Sequence, residues 1–287
     1  MKTSTEIVSA AKFVGEEKAV ELIAKAGFDA WDFSMFNMCK VDRQARALIK
    51  DNDHPLFGNN YLSFARKLKQ IGLDNGIHCN QSHAPFPVYY DGVRPYLKRA
   101  IECTAEAGGK ICVIHPDNYK SAEENAELFF ELLPFAKECG VKIATENMWL
   151  WDAEKDRAVF AACATEEDFL KHLNAVNDDY FVACLDLGHA EMMGEDTSAV
   201  SMIKALGNKL EALHIHDNDK WKDSHQIPFS MKMDFDKIVK ALKEINYQGY
   251  FTLEANQYLN DFNSDNIFDG IKNMATSCAR LKNMFEE

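Results

Sequence analysis

Short apolar runs alternate with longer amphipathic segments along the whole 287-residue chain. The short runs are rich in β-branched residues, as strands are, whereas the longer segments repeat apolar positions at helical spacing. The pattern predicts strands at 6–10, 28–34, 76–82, 110–116, 141–147, 181–188, 211–217 and 250–256. It predicts helices at 16–27, 60–72, 93–108, 122–140, 166–176, 197–208, 234–249 and 268–287.

This regular order of strand and helix predicts the fold class. Eight βα units without a break in composition favour an α/β protein of the (β/α)8 TIM barrel type, formed as a single domain over residues 1–287. The chain length lies within the usual range for one closed barrel. A doubly wound open sheet is the alternative that the periodicity leaves open.

Charge and composition limit the kinds of binding partner and the cellular compartment that we expect. The chain has 32 basic and 45 acidic residues, a formal net charge of −13, which makes nucleic acid an unlikely partner. No apolar run has the length of a signal peptide core or a membrane span, so we expect a cytoplasmic protein that does not contact a membrane. The eight cysteines include no CxxC pair, which predicts buried thiols in a reducing compartment.

Polar side chains close four consecutive predicted strands in the second half of the chain. They are Glu146 in IATEN, Asp186 in CLDLGH, His214 in ALHIH and Glu254 in TLEAN. Because side chains two apart share a strand face, each of them is expected to point into the barrel at the carboxyl end of its strand. Catalytic groups of TIM barrels lie at that end.

The chemistry of these four residues predicts a metal site. Three carboxylates held together in a partly desolvated barrel mouth repel one another unless a cation neutralises them. A mixed nitrogen and oxygen donor set suits one divalent ion, namely Mn²⁺, Mg²⁺, Co²⁺ or Zn²⁺. For any single residue, helix capping or local pairing is the competing interpretation, but it explains four residues in register poorly.

Further polar and aromatic residues are expected at the same rim. His83, His115, His189 and His225 follow predicted strands and are interpreted first as substrate-binding groups. Trp149 directly follows the Glu146 strand, and its ring could line a sugar pocket by stacking on an apolar sugar face. Packing of Trp149 against a neighbouring helix is the alternative.

The ordered series SHAPF, VIHP, ATEN, LDLGH, HIHDND and TLEAN resembles the xylose isomerase-like TIM barrels. This superfamily includes sugar phosphate isomerases and epimerases together with the family 2 AP endonucleases, of which endonuclease IV is a member. The resemblance implies that Glu146, Asp186, His214 and Glu254 hold one divalent ion and that His189 binds substrate. It favours His214 over His216 as the ligand, because the family pattern of histidine, apolar, any, acidic residue begins at His214.

The endonuclease IV branch of the superfamily binds further metals. Its additional ligands would correspond to residues that are also present here, so the resemblance leaves up to three Zn²⁺ ions open. The additional candidate ligands are His83, His115, His189, Asp223 and His225. The strongly acidic charge and the absence of basic loops depart from that branch.

The favoured function is a metal-dependent isomerase or epimerase acting on a small ketose or related polyol carbonyl through an enediolate. Glu146 and Glu254 would serve as general base and acid. The alternatives are an endonuclease IV-like multi-zinc phosphodiesterase, a metal-dependent lyase or dehydratase, and a sugar-binding barrel without turnover. The expected partner is a small sugar, and a homo-oligomer is left open. The residues do not name the sugar, its phosphorylation or the metal.

Overall fold

A computed structural model describes residues 1–42, 44–90, 92–192 and 197–287, and strands alternate with helices throughout them. The strands are β1 (Lys2–Thr5), β2 (Ala30–Ser34), β3 (Val41–Asp42), β4 (Ala47–Leu48), β5 (His78–His83), β6 (Ile111–Val113), β7 (Lys142–Glu146), β8 (Trp149–Asp152), β9 (Arg157–Phe160), β10 (Phe181–Asp186), β11 (Leu210–His214) and β12 (Tyr250–Leu253). The helices are α1 (Val8–Val14), α2 (Glu16–Ala26), α3 (Tyr61–Asp74), α4 (Arg94–Ala107), α5 (Ala122–Cys139), α6 (Glu166–Val176), α7 (Leu187–Glu191), α8 (Ala199–Leu206), α9 (Phe235–Glu244) and α10 (Ile267–Glu286).

The parallel strands close into a barrel. Six of them pair in the order β11-β10-β7-β6-β5-β2, and β1 pairs with β12. Single parallel bridges join these two groups, from Glu6 to Asp32 on one side and from Ile215 to Leu253 on the other. The predicted (β/α)8 barrel is therefore confirmed within the described residues. The open doubly wound sheet is excluded, because these two bridges leave neither group of strands with a free edge.

The first strand lies earlier in the chain than predicted. Residues 6–10 were expected to form it, but β1 is Lys2–Thr5, and most of 6–10 belongs to α1 or its entrance. The error has a physical cause: β1 is polar because Ser4 faces a polar layer inside the barrel, where its hydroxyl donates to Asn80 Oδ1 at 2.6 Å. Strand β1 therefore lacks the apolar signal that marks the other strands, while the apolar run at 7–14 has a helical period.

Along the later strands, side chains point alternately toward the helices and into the barrel, on the faces that the sequence predicts. Ile143, Leu185, Leu213 and Leu253 belong to the main core between the sheet and the helices. A small separate cluster fills the barrel interior, and it contains Val113, Ala144, Val182, Cys184 and Ala212. These small interior side chains leave room for larger polar side chains two residues further along each strand, where the next side chain points into the barrel. This arrangement aims the last residues of β7, β10 and β11 into the barrel mouth.

Loops at the carboxyl ends of the strands add the outer wall of the mouth. After β7 the chain forms the antiparallel pair β8–β9, in which Trp149 lies opposite Phe160. All eight cysteines are free thiols, and all except the half-buried Cys139 are buried, as predicted. Within the described ranges, no helix combines the length and apolar character that crossing a membrane requires.

Candidate metal centre

Four strand ends bring Glu146, Asp186, His214 and Glu254 together at the barrel mouth. Glu146, Asp186 and His214 are the last residues of β7, β10 and β11, and Glu254 directly follows β12. The strand register fixes their neighbours, since Asp186 pairs with His214 and Cys184 with Glu146. One potential ligand atom from each of the four lies within 4.8 Å of the others. We call these four residues the inner cluster.

His214 lies at the centre of the inner cluster. Its Nδ1 is 3.0 Å from Glu146 Oε1 and 3.4 Å from Glu254 Oε2. On the outer side of Glu146, Oε2 is 3.1 Å from His115 Nε2 and 3.4 Å from His83 Nε2. All four members of the inner cluster are buried, Glu254 being the most exposed at 7%. The donor atoms thus converge on one small volume that water barely reaches.

Hydrogen bonds hold Asp186 rigidly but leave one oxygen of its carboxylate without a partner. Its backbone N–H donates to Asn147 Oδ1 at 2.8 Å, and Asn147 Nδ2 donates to the Asp186 carbonyl oxygen at 2.9 Å. Asp186 Oδ1 accepts from the His189 N–H at 2.8 Å, which caps α7. Asp186 Oδ2 is buried and has no hydrogen-bond partner. An orphaned, fully buried carboxylate oxygen is costly unless a cation binds it, so the site fits a metal ion.

Glu146 and Asp186 are ionised in spite of their burial. Burial raises the pKa of Glu146, but His214, His115 and His83 outweigh it and hold that pKa well below its ordinary range. Burial also raises the pKa of Asp186, yet His189 and His216 lower it to about 2. Cys184 also lies within reach of Glu146 and His214, and burial raises the pKa of its thiol to about 12, so it is protonated in the metal-free protein. The four members of the inner cluster offer carboxylate and imidazole donors.

A second set of donors lies beside the inner cluster, and we call His189, His216, Asp223 and His225 the outer cluster. Asp223 Oδ2 is 2.9 Å from His225 Nε2 and 3.6 Å from His189 Nε2. Asp223 Oδ1 is 3.5 Å from His216 Nε2. His216 Nε2 also lies 3.1 Å from Asp186 Oδ1, so the two clusters touch.

Backbone carbonyls orient the imidazoles of the outer cluster. His189 Nδ1 donates to the Asn147 carbonyl at 2.9 Å, and His225 Nδ1 donates to the Glu254 carbonyl at 2.6 Å. A histidine whose Nδ1 donates to a carbonyl presents Nε2 as its free nitrogen, which is the arrangement common in metal sites. Asp223 Oδ1 and His216 Nε2 are also buried without a hydrogen-bond partner. The outer cluster could therefore hold a second ion.

His83 and His115 form the opposite side of the mouth, and with Glu146 they make a third group of converging donors. His83 Nδ1 donates to the Ala84 carbonyl at 2.9 Å, which turns its Nε2 toward Glu146. Burial lowers the pKa of His115 to about 4, so this imidazole is neutral near pH 7. Burial lowers the pKa of His83 too, but the hydrogen bond to Glu146 raises it above its ordinary value. A neutral imidazole such as that of His115 beside an ionised carboxylate can bind a metal or a substrate hydroxyl.

A cavity of about 440 Å³ opens above these groups. Glu146, Glu254 and the rim histidines form its floor, and its walls are largely aromatic and apolar. The wall residues include Phe36, Phe86, Val88, Tyr89, Met148, Trp149, Leu150 and Trp151. Trp149, for which both cavity lining and helix packing were left open, lines the cavity, with its ring 6.3 Å from that of His189. The cavity is large enough for a small polyhydroxy ligand.

Two buried residues near the inner cluster were missing from the residues singled out in the sequence, and a third, His216, was considered there but set aside as a ligand. His216 is fully buried in the outer cluster, although the HIHDND pattern alone gives it no ligand role. Asp32 of β2 and Glu6, which follows β1, are also buried behind the inner cluster. The alternation of Trp31 and Phe33 with Asp32 was available as a signal, whereas Glu6 was hidden by the misplaced first strand.

The fold and the site can now be compared with known proteins. Residues 20–283 match the model of the xylose isomerase-like TIM barrel family. The chain belongs to this family. Among its relatives is an uncharacterised protein of Methanocaldococcus jannaschii, 24% identical over 86% of this chain and 82% of that one.

Two more distant relatives have named activities. Fructoselysine 3-epimerase of Escherichia coli is 26% identical over 47% of this chain and 46% of its own length. Inosose dehydratase of Clostridium perfringens is 24% identical over 50% of both chains. The chain thus spans about half the length of the two curated relatives with named activities.

Solved structures of the family superpose over the whole chain. A D-tagatose 3-epimerase-like protein has a TM-score of 0.70 at 21% identity, covering 99% of both chains. The IOLI protein, solved with a binding zinc atom, has a TM-score of 0.67 at 18% identity, covering 100% of this chain and 98% of that one. At these identities the likeness establishes the fold.

Proposed function

We propose that the protein is a metal-dependent sugar isomerase or epimerase that moves a proton next to the carbonyl of a small ketose or related polyol. The observation that carries this proposal is the inner cluster, in which three carboxylates and one imidazole converge on one buried point beneath the cavity. Relatives and neighbours in the family include proteins named as 3-epimerases, which supports the same reaction class.

One divalent ion suits the inner cluster, with Glu146, Asp186, His214 and Glu254 as its ligands. Its four donors come from rigid strand ends, and Asp186 Oδ2 has no other partner. Three carboxylates with one imidazole favour a hard or borderline ion such as Mn²⁺, Mg²⁺, Co²⁺ or Zn²⁺. When bound, the ion supplies positive charge that stabilises negative charge developing on the substrate carbonyl oxygen.

The proton transfer falls to Glu146 and Glu254, which reach the cluster from different strands. His214 Nδ1 lies between them, 3.0 Å from Glu146 Oε1 and 3.4 Å from Glu254 Oε2. Two carboxylates on different sides of a substrate carbon can remove a proton from one face and return it to the other, as an epimerase requires. His83, His115, His189 and His225 line the cavity and would orient substrate hydroxyls.

The character of the cavity wall favours an unphosphorylated substrate. Among the described residues that line the cavity, the carboxylates are Glu146, Asp223 and Glu254, and none is a lysine or arginine. A phosphate group binds best to basic side chains in such a pocket. Asn118, which also lines the cavity, has a buried Oδ1 without a hydrogen-bond partner and can accept from a neutral hydroxyl.

Replacing either glutamate tests the acid/base assignment. In Glu146→Gln and Glu254→Gln, solvent deuterium uptake into a ketose such as D-tagatose should fall by about 10³-fold or more, because the amide cannot accept a proton. NMR of the sugar measures the uptake, and circular dichroism checks the fold. Asp117→Asn, a buried aspartate in the loop after β6, is the matched control. Full activity in both glutamine variants would refute the assignment.

A multi-zinc phosphodiesterase of the endonuclease IV type is the second candidate. The observation in its favour is that the outer cluster and the group of His83, His115 and Glu146 provide two further sets of converging donors. This function predicts about three zinc ions per chain and cleavage of abasic duplex DNA. The net charge of −13 opposes DNA binding. One ion per active chain with no cleavage would exclude it.

A further inference from the structure

The side of His214 that faces away from the inner cluster has its own partner. While Nδ1 faces Glu146 and Glu254, Nε2 lies 3.6 Å from Asp32 Oδ2 on β2. The His83 ring stacks on the His214 ring with centroids 5.3 Å apart and planes inclined by 18°, which limits rotation of the imidazole. His214 is therefore held between carboxylates on both of its nitrogen sides.

Asp32 has few other interactions that explain its presence in the barrel. It is fully buried, and its Oδ2 has no hydrogen-bond partner. Its other oxygen is 3.5 Å from the Ser34 hydroxyl, a weak contact at best. Burying a carboxylate costs several kcal/mol unless a charge or donor compensates it. His214 is the basic side chain within ion-pair distance among the described residues.

The proton on His214 must sit on one nitrogen or the other when the imidazole is neutral. A neutral imidazole that binds a cation through Nδ1 carries its proton on Nε2. That proton then points toward Asp32 Oδ2, and a movement of about half an ångström would bring the pair to hydrogen-bond distance. A carboxylate behind a histidine ligand fixes its tautomer and raises its basicity.

We propose that Asp32 is a positioning residue, which keeps the proton of His214 on Nε2 and so presents Nδ1 to the metal. The inference rests on the proposed metal site but not on the identity of the sugar. It assigns a role to a strand outside the four that carry the inner cluster. It also explains why a fully buried carboxylate occurs at this point of β2.

Two substitutions of Asp32 test the proposal. Asp32→Leu removes the acceptor, and Asp32→Asn keeps a weaker, neutral one with nearly the same shape. Zn²⁺ affinity, measured by competition with a chelator, should fall by about 10- to 100-fold in Asp32→Leu and by less in Asp32→Asn. The control Asp117→Asn, whose carboxylate accepts from the Tyr119 N–H and belongs to none of the three donor groups, should bind Zn²⁺ like the unmodified protein, and circular dichroism verifies the fold of each variant.

The tautomer itself provides a readout that a merely structural role would not change. Nitrogen NMR of the zinc-loaded protein, with His214→Asn used to assign the signal, should show a protonated Nε2 on His214. In Asp32→Leu this proton should exchange with solvent faster. Unchanged zinc affinity and unchanged Nε2 exchange in folded Asp32→Leu would overturn the proposal. If these changes occur but the unmodified protein exchanges no sugar protons, the positioning role stands and the proposed function fails.

Discussion

The inner and outer clusters touch one another but balance their charges differently. The inner cluster has three carboxylates and one imidazole, whereas the outer cluster has three imidazoles and one carboxylate. Burial lowers the pKa of His225, but Asp223 and its neighbours raise it to about 9. Protons on histidines can therefore neutralise the outer cluster, while the inner cluster has too few histidines of its own. The charge balance therefore favours a cation at the inner cluster more strongly than at the outer one.

A matched pair of substitutions, one in each cluster, tests the difference between the two clusters most strongly. His214→Asn removes an inner donor, and His225→Asn removes an outer donor of the same type. We expect His214→Asn to lower solvent proton exchange into substrate by about 10³-fold, and His225→Asn by about 10-fold or less. Solvent deuterium uptake by the sugar, measured by NMR at saturating Mn²⁺, gives both values. Equal losses would mean that the clusters act as one metal centre.

The two clusters should also differ in the number of protons that they release when a metal binds, which is a smaller effect than the loss of activity. A metal at the outer cluster must displace a proton from His225, whose pKa is about 9, so affinity there should fall as the pH drops below 9. In the inner cluster Asp186 has a pKa of about 2 and needs no deprotonation near pH 7. Burial lowers the pKa of His214, but Cys184, Glu146 and Glu254 raise it well above its ordinary value, so this one imidazole must lose a proton there. In the outer cluster both His189 and His225 have raised pKa values and must do so. Calorimetry in two buffers of different ionisation enthalpy should show more protons released by a second equivalent of Zn²⁺ than by the first.

The control for this measurement is His225→Asn. In this variant the pH dependence of the second equivalent should become shallower, because His189 alone keeps a raised pKa in the outer cluster, while the first equivalent binds as before. Proton release that is the same for both equivalents in the unmodified protein would contradict the division into two clusters.

The smallest predicted effect concerns Glu6, which lies behind the inner cluster. Burial raises its pKa from 4.5 to about 7 in the folded protein. The folded state therefore binds this proton more tightly than the unfolded state, so the contribution of Glu6 to stability is present below pH 4.5 and is lost as the pH rises through 7. Glu6→Gln should stabilise the metal-free protein at pH 8 by ~1–3 kcal/mol and leave it nearly unchanged at pH 4. Urea unfolding at both pH values measures this difference.

The barrel could be predicted because the later strands carry a strong periodic signal. In β7, β10 and β11, buried apolar residues alternate with small interior residues and end in one polar residue. That alternation placed Glu146, Asp186 and His214 at one end of the barrel before the fold was known. Strand β1 lacks the signal because its interior residue, Ser4, belongs to a polar layer with Asn80.

The outer cluster and the residues behind His214 depend on distances between distant parts of the chain. Asp223 lies in a loop, and no sequence period predicts that its carboxylate reaches His189 and His216. Asp32 and His214 are separated by 182 positions in the sequence, and strand order around the barrel alone brings them together. Such contacts follow from barrel closure rather than from local pattern.

Anomalous X-ray diffraction tests the central claim most directly. Crystals grown with one equivalent of Mn²⁺ and measured at the manganese edge should show an anomalous peak bounded by Glu146, Asp186, His214 and Glu254. The account predicts that the peak appears there first and that the outer cluster fills only with excess metal. A strong peak at His189, Asp223 and His225 with none in the inner cluster would contradict it.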